Sequence, residues 1–136
     1  FAAWSMTHVA GVGMDRFCVL CGRCSNWLAE RARIEQAVRD SAYHIIGYKG
    51  ATYYAVGLAL TRIVAAILRN EHSVLTVSLP LEGEYGLHDV SLSVPCVVSQ
   101  NGIDRVMLAT LTSEEQDALE RSAGVLRGVI AQLGAT

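Results

Sequence analysis

Cys18, Cys21 and Cys24 form a C-x2-C-x2-C run, with Cys96 as a distant fourth thiol. Thiolates at that spacing can wrap a zinc ion or an iron–sulfur cluster. No second cysteine pair accompanies Cys96 and no histidine stands beside it, so no metal ligand is assigned. The cysteines read instead as thiols of a reducing compartment, those of the run oxidation-sensitive in a solvent-facing loop. His8, His44, His72 and His88 are the imidazoles available for proton transfer. His72, in Asn-Glu-His-Ser, comes nearest to a catalytic setting, but a helix end suits a solvated or dipole-facing imidazole. Gly11-Val12-Gly13 falls short of the G-x-G-x-x-G fingerprint that cradles a dinucleotide phosphate.

The elements that must position any site follow from periodicity. From Trp27 to Tyr48, Ile34, Val38, Ala42, Ile45 and Ile46 recur at helical spacing while Glu30, Arg33, Arg39 and Asp40 take other faces, which predicts an amphipathic helix with one core stripe. Lys49-Gly50 interrupts it. A second helix starts near Thr52 and runs through Ala55 to Ile67, apolar nearly all round and so expected to be buried. On residue types alone Thr52 is an N-cap, and Ala42 and Val56 are core residues. Asn70 to Ser73 closes this helix, and Val74 to Leu79 is a β-branched run suited to a strand. Val90, Leu92 and Val94 alternate with Ser91 and Ser93, which predicts a strand with one buried face. Asn101-Gly102, before Ile103 to Leu108, predicts a hairpin with a type I′ turn. Thr112-Ser113-Glu114-Glu115 has the spacing of a capping box and opens a final helix through Leu119, Ala123, Leu126, Ile130 and Leu133. Helix, helix, three strands, helix makes an α+β class, with long helices on an antiparallel sheet.

The chain has 136 residues, half of them hydrophobic, enough for one domain with its own core. A net charge of −2 without a Lys/Arg cluster argues against nucleic acid and anionic membrane as partners. The N-terminus has no secretory pattern, and Ala55 to Leu68 is short for a membrane span and carries Arg62. A cytoplasmic location is expected. Phe1-Ala2-Ala3-Trp4-Ser5 reads like the interior of a folded chain, so a fragment of a longer protein is expected too.

Lys49-Gly50-Ala51-Thr52-Tyr53-Tyr54, then Ser73 to Ser78, Leu81-Glu82-Gly83-Glu84-Tyr85-Gly86, Val90 to Pro95 and Asn101-Gly102-Ile103, closely resemble the C-terminal domain of bacterial L-lactate dehydrogenases in order and spacing. Trp4-Ser5 and Ala10-Gly11-Val12 extend the resemblance over nearly the whole chain, with Arg16 to Asn26 the one foreign stretch. The resemblance implies a lactate/malate dehydrogenase C-terminal-like fold and NAD-dependent interconversion of pyruvate and L-lactate in a cytoplasmic homo-oligomer, a tetramer in the family. It implies that the catalytic His and Asp, the substrate-binding arginines and the Rossmann half that holds most of the NAD lie outside these residues. Within the chain it carries Thr52 and Ala42 to substrate-cavity positions and Val56 to the position packed on the nicotinamide ring. A malate dehydrogenase of the same fold and a non-catalytic interaction module are the alternatives.

Overall fold

The computed structural model describes residues 1–23 and 26–134. Cys24, the third thiol of the cysteine run, lies outside the described residues. A 3-10 turn at Trp4–Met6 leads to a short hairpin, β1 (His8–Val9) and β2 (Val12–Gly13), and then to α1 (Met14–Cys21). Two long helices follow, α2 (Trp27–Lys49) and α3 (Tyr54–Leu68). The main sheet is β3 (Ser73–Glu82), β4 (His88–Ser99) and β5 (Gly102–Val106), antiparallel throughout with β4 in the centre, and α4 (Ser113–Gly134) closes the chain. The α+β class holds, with the β1–β2 hairpin and α1 as additions that periodicity could not reveal in so few residues.

β4 explains where the core lies. Val90, Leu92, Val94 and Cys96 alternate inward, and from Cys96 to Ser99 every residue is buried. Alternation marks a strand with one covered face, and a continuous run marks one covered on both. α4 and α3 both lie against β4. Leu119 and Ala123 of α4 join Leu81, Leu87, Val90, Leu92, Val94 and Cys96 in one hydrophobic cluster.

Two expectations are corrected. α3 is not a buried helix, because Ala66 is its one buried residue among those described, while Leu58 and Leu68 are 73% and 80% exposed. One narrow face docks on β4, and most of the other apolar side chains stay exposed among the described residues. The hairpin forms, but not through a type I′ turn: Gln100 and Asn101 lie between paired Ser99 and Gly102, and of Asn101 and Gly102 only the glycine has positive φ, 94°. The register slips between Val97 and Val98, which leaves Asp104 as an extra residue on β5.

The capping box forms as read. Glu115 N–H donates to Thr112 Oγ1 at 3.3 Å, and Thr112 N–H donates to Glu115 Oε2 at 3.0 Å. The same carboxylate accepts from Ser5 N–H at 3.0 Å and Ser5 Oγ at 2.5 Å, tying the first residues to the last helix. Burial pushes the Glu115 carboxyl up, but the hydrogen bonds from Ser5 and Thr112 outweigh it and hold it below its ordinary value. A depressed native pKa gives stability that is complete above the unfolded-state value and is lost as pH falls through the native one. Stability should therefore start to fall as pH drops into the ordinary carboxylate range and keep falling below it, and Glu115→Gln should flatten that limb in denaturant melts run across pH. An unchanged acid limb in the variant would refute the assignment.

Candidate functional site: the α2–α3 elbow

α2 stops at Gly50, a left-handed residue (φ 76°) whose N–H returns to the Ile46 carbonyl at 2.8 Å. A Cβ at that φ costs about 1–2 kcal/mol, which is why glycine suits the stop. After Ala51-Thr52-Tyr53 the chain leaves as α3, its axis turned by 120° from α2. Lys49 Nζ stands 5.4 Å from the Tyr54 ring centroid, and the Tyr53 and Tyr54 rings meet at 4.7 Å. These contacts join the two arms of the elbow. No single helix among the described residues is long and apolar enough to cross a membrane, and only the bent pair of arms together reaches that length and composition.

Thr52 is half-buried in the connection, and Val56 is 52% exposed in the first turn of α3. Thr52 is not the N-cap: Tyr53 takes that position, already in helical conformation and without a side-chain cap. Val56 and Ala42 are exposed, against the reading of both as core residues. Ala42 lies two turns before the end of α2, about 10 Å along its axis from Lys49 at 1.5 Å per residue. The structure thus places Thr52 and Val56 together at the corner and Ala42 farther along one arm.

The α2 stripe is built but mostly uncovered, with Ile34 half-buried and Val38 67% exposed. Residues 1–7 cross its beginning and form a cavity of about 350 Å³ lined by Phe1, Trp4, Ile34, Glu35, Val38 and Arg39 among others. Ala42 follows Val38 by four residues, so it continues the same wall toward the elbow. Trp4 fixes that wall. Its indole N–H donates to Glu35 Oε1 at 2.5 Å, its ring meets Trp27 edge-on at 5.2 Å, and the Arg31 guanidinium lies 5.6 Å from it. Trp27 N–H in turn donates to Asp15 of α1. Sequence reasoning missed this cluster. The Glu35/Arg39 pair at four-residue spacing, 3.8 Å apart, was its only local signal.

The remaining candidates lie elsewhere. His72 Nδ1 is 3.0 Å from Asp104 Oδ2, with the imidazole 59% exposed. Arg62, the charge on apolar α3, reaches Glu71 at 2.6 Å, and hydrogen bonds from Arg62 and then Ser73 pull the Glu71 carboxyl down. Among the described residues no three His, Cys, Asp or Glu side chains are grouped to hold a metal ion. Cys18 is buried at 2% exposure on α1, not in an exposed loop as the sequence suggested, while Cys21 is exposed.

The lactate/malate dehydrogenase alpha/beta C-terminal domain matches residues 1–136. The chain belongs to that family. An L-lactate dehydrogenase of Treponema denticola is 56% identical over 98% of the chain, and one of Thermoanaerobacterium saccharolyticum is 49% identical over the same share. A minor L-lactate dehydrogenase of Enterococcus mundtii, solved in a ligands-bound form, superposes with a TM-score of 0.89 at 37% identity over 96% of the chain. The chain spans about 42% of the length of the curated relatives.

Proposed function

We propose that the chain supplies the substrate-side wall of an NAD-dependent L-lactate dehydrogenase that interconverts pyruvate and L-lactate. One observation carries the reading: in a domain 56% identical to an L-lactate dehydrogenase, the elbow presents half-buried Thr52 and exposed Val56 on an apolar surface that the described residues leave largely open. An apolar patch of this kind marks a face awaiting a partner or ligand.

The elbow fits one end of the cofactor. Val56 is half-exposed beside Leu60 at 57%, so a planar ring can lie on it and exclude water, whereas the described residues near the elbow include no glycine-rich phosphate cradle. NAD, when bound, exchanges the hydride with C2 of the substrate. Thr52 borders the substrate on the same corner, and the small side chain of Ala42 leaves room for a methyl group while disfavouring a bulkier or charged tail. The proton donor, the arginine clamp and most of the NAD site belong to protein beyond these residues. We extend the reading to a homo-oligomer, supported by the remaining apolar area on α3 and on the second half of α4, where Val125 is 69% exposed, and to a cytoplasmic location as the resemblance implies.

The test is steady-state kinetics on the intact protein. NADH oxidation with pyruvate should exceed that with oxaloacetate, and the reverse ranking would make it a malate dehydrogenase. The 136 residues alone should oxidise no NADH above background, and measurable turnover by them would overturn the division of labour.

A further inference from the structure

Resting on the function proposed above, we propose that Arg62 is a positioning residue: by gripping the turn between α3 and β3 it sets the direction of α3, and with it the place of Val56 against the nicotinamide ring. Among the described residues α3 is docked over its second half alone. Every residue from Tyr53 to Arg62 is exposed, and only Ile63, Ala65, Ala66 and Ile67 are covered even in part. The other arm gives no support from the sheet either, since residues 41–50, which end α2, are all exposed. The corner that carries Thr52 and Val56 therefore stands out from the sheet, and a tilt about the docked end moves Val56 farther than any residue near Ala66.

Arg62 lies six residues after Val56, about 9 Å along the axis, and shares its helix face with Ala66 one turn on. Its Nη1 donates to Glu71 Oε2 at 2.6 Å and its Nη2 to Ser73 Oγ at 2.8 Å, while Ser73 Oγ donates to the same Glu71 oxygen at 2.9 Å. A planar fork on two acceptors fixes an orientation as well as a distance. Both acceptors are anchored. Glu71 N–H donates to the Ala66 carbonyl at 3.0 Å, and Ser73 opens β3, paired with Val98. Asn70, left-handed at φ 50°, accepts from Gln100 N–H at 3.1 Å, which ties the same turn to the β4–β5 connection. Arg69 approaches Glu71 only to 3.8 Å, so Arg62 is the cation that grips. With its side chain 48% exposed the pair contributes little to stability, and its effect is expected in geometry.

The test is NADH kinetics with pyruvate on the intact protein, each rate referred to the folded fraction measured by circular dichroism. Arg62→Met should raise the KM for NADH by roughly tenfold with the unfolding midpoint little changed, since misplacing a binding group by about 1 Å costs up to about a hundredfold. Arg62→Lys, a single cation in place of a fork, should recover part of the loss. The deciding arm is a cycle with Val56→Ala: once the positioned contact is cut back, adding Arg62→Met should change the KM by less than about twofold. If Arg62→Met fails to fold, Glu71→Gln, which keeps an acceptor for the guanidinium without the charge, carries the same cycle. The full loss in both backgrounds, an unmoved KM, or a loss that follows the unfolding midpoint alone would each overturn the role of Arg62. A wild-type protein that oxidises no NADH with pyruvate would instead refute the proposed function, and this role with it.

Discussion

Val56→Asp in the intact protein should lower kcat/KM for pyruvate reduction by about a hundredfold or more, because an unpaired carboxylate forced against an apolar ring costs roughly 3 kcal/mol and each 1.4 kcal/mol is tenfold. The KM for NADH should rise with it, since the contact proposed for Val56 is with the nicotinamide ring and not with the substrate. Val56→Ile, which keeps the apolar contact, should stay within a few-fold of wild type. Within this domain Val56 is 52% exposed, so neither change should remove much of the domain's own packing. An unfolding midpoint that falls while the folded fraction keeps its kcat/KM would return Val56 to a purely structural role.

Leu119→Ala should be the most damaging single truncation for stability. Leu119 is 5% exposed and joins α4 to the inward face of β4, where Val90, Leu92 and Val94 meet it. Deleting a buried leucine side chain costs about 2–5 kcal/mol, the lost transfer energy plus the cavity left behind. That is a large part of the roughly 5–15 kcal/mol by which a domain is stable. Leu119→Met, which keeps the volume, should cost under about 1.5 kcal/mol. Denaturant midpoints of the two variants settle the matter, and a near-neutral Leu119→Ala would mean that α4 does not hold the sheet.

How far the sequence revealed this arrangement varied with the physics of each segment. Val90-Ser91-Leu92-Ser93-Val94 disclosed both a strand and its buried face because a half-covered strand writes its environment into every second residue. Thr112 and Glu115 disclosed a helix start because the box needs only two side chains three residues apart. α3 misled, because apolar residues all round a helix say that its faces are to be covered but not by which part of a protein. Thr52 looked like a cap, yet Tyr53 had already entered the helix, a choice made by backbone angles that no local pattern records. For the elbow, the resemblance named Thr52, Ala42 and Val56, whereas the wall of Phe1, Trp4 and Glu35 depends on residues some thirty positions apart and left no periodic trace.

The bond from Ser5 to Glu115 spans 110 positions of chain, which bears on how the domain assembles. A contact of that separation closes a very long loop, and its entropic cost is met only when the intervening elements are in place. Synthesis runs from the N-terminus, so residues 1–7 emerge before α4 and gain the Ser5–Glu115 tie only once the start of α4 has followed. The wall around Trp4 can thus be set against α2 early, while its tie through Ser5 waits for the last helix of the domain.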